Sequence, residues 1–119
     1  MSGDDSVLAR ALELVAIDEV DVDDPVFTAD ERAYATSKSD PQRRLAARLA
    51  AKRAAVRALG GGAAPHEVEV RRGLGGPPRL RLSGGAERAL RGLGGAGTLV
   101  SLTHGVHHAA ASVLILRAR

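Results

Sequence analysis

A chain of 119 residues suits one domain, and the complete absence of cysteine excludes a disulfide framework and thiol chemistry. No apolar run is long enough to span a membrane, and residues 1–10, with two Asp and no basic start, do not read as a secretory leader, so a cytoplasmic protein is expected. The net charge of +3 conceals an asymmetry that suits self-association or an anionic ligand: residues 1–31 hold ten acidic and one basic side chain, residues 32–119 sixteen basic and four acidic.

Residues 1–10 read as a flexible lead and residues 11–119 as the domain. Residues 12–17 alternate weakly before an acidic run and predict a strand. Residues 18–25 form an acidic loop. Thr28 with Glu31 three residues later is a capping box, so a short helix is expected from Ala29 to about Thr36. Asp40 followed by Pro41 is a helix start, and Leu45, Leu49, Lys52, Val56 and Leu59 mark one face of a long helix over residues 41–59. Gly60, Gly61 and Gly62 stop it.

The period then changes. Val68 and Val70 alternate with Glu67, Glu69 and Arg71. A Gly/Pro-rich turn follows, and residues 79–82 alternate again, which predicts a hairpin. A short helix over residues 84–93 and two apolar strands, 97–103 and 107–116, complete the chain. The order β, α, α, β, β, α, β, β is that of an α+β domain. Phe27 and Tyr34 are the only aromatic residues, so the core must be Leu, Val, Ile and Ala. At about 25 cal/mol per Å² of apolar burial such a core is thin, and oligomerisation is expected to support it.

Five segments share one resemblance. Residues 47–60, A-R-L-A-A-K-R-A-A-V-R-A-L-G, are similar to the signature helix of the holo-acyl-carrier-protein synthases, the small trimeric phosphopantetheinyl transferases. Residues 26–31, V-F-T-A-D-E, resemble that family's L-T-x-x-E segment. Residues 14–18 resemble its first strand. Gly76-Pro77-Pro78 falls where the family has G-x-P, and residues 100–111 resemble its V-S-L-T-H ending. The resemblance implies a phosphopantetheinyl transferase-like fold, one long helix packed on a small antiparallel sheet, assembled as a homotrimer with sites at subunit interfaces. It also implies coenzyme A as cosubstrate, an acyl carrier protein as partner, and Mg²⁺ held by pyrophosphate and two carboxylates.

By that resemblance, His104, Lys52 and Glu13 fall on catalytic positions. Arg48, Lys52, Arg53, Arg57, Gly60, Gly61, Gly62 and His104 fall on positions that hold coenzyme A or its phosphopantetheine. The departures are as informative. The family's first metal carboxylate, an Asp, falls on Glu13, whose extra methylene moves the oxygens away from the geometry Mg²⁺ requires. Its second falls on Arg53, and a guanidinium has no lone pair for a metal. A direct Glu13–Arg53 ion pair is therefore expected in place of the ion. The family's basic carrier-docking helix is replaced by the acidic residues 19–25.

Three function readings follow. The first is a repurposed member of the family, acting on coenzyme A- or carrier-linked intermediates of a polyketide or fatty-acid type pathway without the usual Mg²⁺-dependent transfer, with His104 and Lys52 as working groups. The second is an active transferase with an altered metal site. The third is a non-catalytic binding or assembly protein. Nucleic acid is disfavoured, because the basic helix has no aromatic platform beside it and no motif. His104, His107 and His108 are not expected to share a metal, since neighbours on a strand point to opposite faces.

Overall fold

The computed structural model describes residues 6–72 and 75–118. The order is β1 (Val7–Ala16), α1 (Ala29–Thr36), α2 (Pro41–Ala58), β2 (Val68–Arg72), β3 (Pro78–Leu82), α3 (Gly84–Gly92), β4 (Gly95–His104) and β5 (His108–Arg117), with single 3-10 turns at Ile17–Glu19 and Pro65–Glu67. Two antiparallel sheets result, one of three strands ordered β1-β5-β4 and one the β2-β3 hairpin. Helix α2 packs on both, so the architecture is α+β, with one long helix on small antiparallel sheets.

Strand β1 begins at Val7, so residues 7–10 lie in the sheet rather than in a flexible lead. The reason is β5, which offers a ten-residue edge: Val7 sits opposite Leu116 and Ala16 opposite His108. Apolar Leu8, Ala9 and Ala11 also gain packing against the core. The central strand turns Ala109, Ala111, Val113 and Ile115 inward, all buried. In β1, period-two alternation sends Val15 inward and leaves Leu12 and Leu14 on the outer face.

The capping box predicted for α1 is present: Thr28 Oγ1 accepts from Glu31 N, and Glu31 Oε1 accepts from Thr28 N. Helix α2 runs close to its predicted bounds, but its buried surface differs from the predicted row. Ala46, Ala47, Ala50, Ala51, Ala54, Ala55 and Ala58 are all buried, while Leu49 and Val56 are only half-buried. Alanine side chains are short, so sheet and hairpin approach the helix closely and enclose most of its circumference. The Asp40 carboxylate makes no cap hydrogen bond; it pairs with Arg43 Nη1 at 3.5 Å.

Glu67 ties the hairpin to α3. Its carboxylate accepts from Ala64 N at 2.9 Å and from Gly85 N, in the first turn of α3, at 2.6 Å. A Cβ built on Gly84, at φ +52°, would collide with Glu67 Oε2, so the contact needs glycine there. The two backbone donors favour the carboxylate and hold Glu67 below the ordinary value of 4.5. Its folded-state value is depressed, so its contribution is complete above the unfolded value and fades as pH falls through the folded one. Glu67→Gln is therefore expected to flatten the stability loss below about pH 4.5 in acid titrations followed by circular dichroism.

Candidate functional site: two arginine clusters on one helix

Lys52 is not at a surface. Its side chain is 0% exposed, and Nζ donates to Glu31 Oε1 at 2.8 Å and to Val68 O at 2.5 Å. Glu31 is equally buried, and its second oxygen accepts from Val70 N at 2.8 Å. Burial pushes the Lys52 ammonium down from its ordinary value, against the pull of Glu31. The pair is thus a clasp joining α1, α2 and β2. The expectation that Lys52 takes part in catalysis or holds phosphate is corrected: two of its three protons go to internal acceptors and no atom of it meets solvent.

One turn earlier on the same row, Arg48 is buried but lacks such a partner. It is 3% exposed and lies over the Tyr34 ring, 4.4 Å from its centroid. Nη1 donates to Arg44 O at 3.3 Å, and Nε has no hydrogen-bond partner. Among the described residues no carboxylate stands within 4 Å of Arg44, Arg48 or Arg72. Burial lowers the pKa of Arg48, opposed by Tyr34 and Glu31. Arg44, Arg48, Arg72 and His104 line one cleft of about 240 Å³, together with Ala47, Leu102 and Thr103. Three guanidinium groups around one opening, with no carboxylate lining it, give the cleft a positive potential that suits an anion. Arg72 and Tyr34 were not legible as site residues. Arg72 arrives through the β2–β3 register, where it pairs with Pro78, and Tyr34 through α1 packing on α2.

The second cluster lies farther along α2. Glu13, on the helix-facing side of β1, accepts a short hydrogen bond from Arg57 Nη1, which also donates to Leu12 O at 3.1 Å. The predicted Glu13 partner was Arg53; the observed partner is Arg57, one turn further on. Arg53 is exposed to solvent. Arg48 and Arg57 are nine residues apart, about 14 Å along the axis, and point to sides of the helix turned by roughly 180° from one another. The single chain therefore does not bring His104 and Glu13 together.

The site does not fit the Mg²⁺ implied by the resemblance. Such an ion needs oxygen donors held in octahedral geometry. Here Glu13 is engaged by a guanidinium, and the companion carboxylate is the cation Arg53. The predicted metal role of Glu13 is replaced by an ion pair.

Gly60 and Gly61 serve the helix end. At φ +87° and +82°, they donate their N–H groups to Arg57 O and Val56 O, which closes α2. Those amides are spent, so a phosphate cradle built on them is corrected to a stop signal. The acidic loop folds on itself: Asp21 Oδ1 accepts from Asp23 N and Asp24 Oδ1 from Val26 N, at 2.9 and 2.8 Å. Asp18, His107 and His108 line a separate cleft at the far end of β1, and His107 O accepts from Ile17 N.

The fold is that of the phosphopantetheinyl transferase-like α+β proteins. The chain is 39% identical over 94 residues to a holo-acyl-carrier-protein synthase of Koribacter versatilis, an alignment covering 76% of this chain and 75% of that one. It is 46% identical over 92 residues to the holo-acyl-carrier-protein synthase of Anaeromyxobacter dehalogenans, covering 76% and 71%. Among solved structures, the acyl carrier protein synthase of Mycobacterium tuberculosis superposes with a TM-score of 0.75 at 36% identity, covering 95% of this chain and 99% of that one. The coenzyme A complex of the Chronobacterium ammoniagenes protein superposes at 0.77 and 26% identity, covering 93% and 98%. No family model matches the chain. The chain belongs to the holo-acyl-carrier-protein synthase family.

Proposed function

We propose that the chain binds coenzyme A through its phosphates and acts on coenzyme A- or carrier-protein-linked intermediates of a polyketide or fatty-acid type pathway, without the usual Mg²⁺-dependent transfer. The observation that carries this reading is Arg48, buried at 3% exposure with no carboxylate partner among the described residues, lining a cleft with Arg44, Arg72 and His104. Coenzyme A bears a diphosphate and a separate ribose phosphate, and two separated cationic clusters suit two separated anionic groups. The coenzyme A complex of the Chronobacterium ammoniagenes relative supports that ligand. His104, exposed at the end of β4, is the remaining candidate for proton transfer or for a hydrogen bond to the ligand.

A homotrimer belongs to the same reading. Leu12, Leu14 and Leu99 are 66, 63 and 56% exposed on the outer face of the three-stranded sheet, a surface that calls for cover. The resemblance places sites at subunit interfaces, so the Glu13 cluster of one chain is expected to be completed by the His104 cluster of the next. The acidic loop argues against docking the usual acidic carrier protein surface, so a carrier with a different surface is the expected partner. No helix among the described residues is long and apolar enough to cross a membrane, and a cytoplasmic location is part of the proposal.

A second reading, an active 4'-phosphopantetheinyl transferase, is favoured by the family relatives at 39–46% identity. Intact-protein mass spectrometry of apo carrier proteins, incubated with this chain, coenzyme A and Mg²⁺, separates the two. A carrier gaining one phosphopantetheine establishes the second reading and overturns the first. No gain, with coenzyme A binding seen by calorimetry, supports the first. In the same calorimetry Arg48→Ala is expected to weaken coenzyme A by about tenfold or more, since a charged hydrogen bond to a buried group contributes about 1.5–3 kcal/mol.

A further inference from the structure

We infer that Arg53 and Arg57, positioned with Glu13, stand in for the divalent ion, so that this chain takes up the diphosphate of its ligand on guanidinium groups. The inference rests on the coenzyme A reading above. It starts from charge. The set implied by the resemblance, two carboxylates with a divalent ion and the family lysine that falls on Arg57, presents one net positive charge to a diphosphate. Glu13 with Arg53 and Arg57 also presents one net positive charge, with no ion present. A guanidinium adds what a bare charge lacks, a planar fork of donors that matches two phosphate oxygens.

The geometry assigns separate tasks to the three side chains. Arg57 is anchored at one nitrogen: the two hydrogens of Nη1 go to Leu12 O and to Glu13 Oε2. The three remaining N–H groups of its fork, on Nη2 and Nε, are left for a ligand, and the side chain is 63% exposed. Glu13 is therefore a positioning residue for Arg57 rather than a metal ligand. Its longer side chain is consistent with that task, because it reaches from the strand to the helix. Arg53 precedes Arg57 by one turn, so their Cβ atoms are about 5–6 Å apart on one face of α2. Both lie on the solvent side of a helix whose other faces are enclosed by alanine packing. In the wild type a cation approaching Glu13 meets the guanidinium of Arg57 on the carboxylate and that of Arg53 beside it; Arg53→Glu turns the net charge of the three side chains from +1 to −1 and supplies the second carboxylate with which Glu13 can share an ion while Arg57 turns aside.

Calorimetry of coenzyme A in EDTA and in saturating Mg²⁺ tests this, together with electron paramagnetic resonance of added Mn²⁺ without coenzyme A. The wild type is expected to bind coenzyme A equally, within about twofold, in both buffers, and to leave Mn²⁺ free. Arg53→Glu, a change at an exposed position, is expected to lose about tenfold or more in EDTA, to recover in Mg²⁺, and to hold Mn²⁺. Tightening of the wild type by about tenfold on adding Mg²⁺, stoichiometric Mn²⁺ on the wild type, or no Mn²⁺ on Arg53→Glu overturns the inference. If the wild type binds no coenzyme A in either buffer, the coenzyme A reading falls. The Mn²⁺ comparison then decides the inference alone: Mn²⁺ held only by Arg53→Glu upholds the replacement of ion by arginine.

Discussion

Lys52→Ala is expected to cost about 3–5 kcal/mol of folding stability, because it leaves the Glu31 carboxylate buried and uncompensated. Domains of this kind are held by about 5–15 kcal/mol in all, so the variant should sit near the edge of folding at 37 °C. The expected loss follows from the geometry. Lys52 and Glu31 are both fully enclosed, 2.8 Å apart, and each also serves backbone groups: Val68 O for the lysine, Thr28 N and Val70 N for the glutamate. Removing the lysine therefore loosens α1, the middle of α2 and the first residues of β2 together. Replacing both charges while keeping the acceptors, as Glu31→Gln with Lys52→Met, should recover a large part of the loss, since a neutral amide is far cheaper to bury than a lone carboxylate. Urea denaturation of the wild type, the single variants and the double variant measures this coupling directly. A stably folded Lys52→Ala that has lost only coenzyme A binding would reinstate Lys52 as a ligand-contacting residue.

The elements were legible where local chemistry is strong: the Thr28–Glu31 box set the start of α1, and Pro41 and the three glycines bounded α2. The start of β1 was not, because residues 7–10 join the sheet only through the edge that β5 offers from the other end of the chain. The buried face of α2 was misjudged because alanine carries little hydrophobic signal, although alanine is the residue that permits close approach. Site residues were legible as types and not as pairs. Glu13 is expected to meet Arg53, yet the packing of α2 on β1 offers it Arg57. Lys52 carries the same charge as its row-mate Arg48, and only tertiary packing decides that one closes on Glu31 while the other lines the cleft with Arg44, Arg72 and His104. The resemblance located Glu13, Lys52 and His104 in one site, whereas a single chain holds them in three separate places.

The separation of the two arginine clusters within one chain gives the outer face of the sheet its importance. Leu14→Glu, and Leu12→Glu beside it, are expected to convert the proposed trimer to monomer in sedimentation or light scattering. The two leucines are 63 and 66% exposed and flank Glu13 in β1, with Leu99 of β4 across the central strand. Each leucine buried between subunits contributes about 1.5–3 kcal/mol per chain, and a glutamate in its place adds the cost of desolvating a charge. The alternation that turns Leu12 and Leu14 outward turns Glu13 inward, so these substitutions leave the Glu13–Arg57 pair and the helix packing untouched. Circular dichroism should accordingly show a folded chain. If the site is completed between copies, coenzyme A affinity must fall in the monomeric variant although no residue of either arginine cluster has changed. A monomer that binds coenzyme A as tightly as the wild type would instead show that one chain spans both clusters by itself, and the outer face would then serve assembly alone. A wild type that is already monomeric would remove the trimer from the reading, and the exposed leucines would then require another partner to cover them.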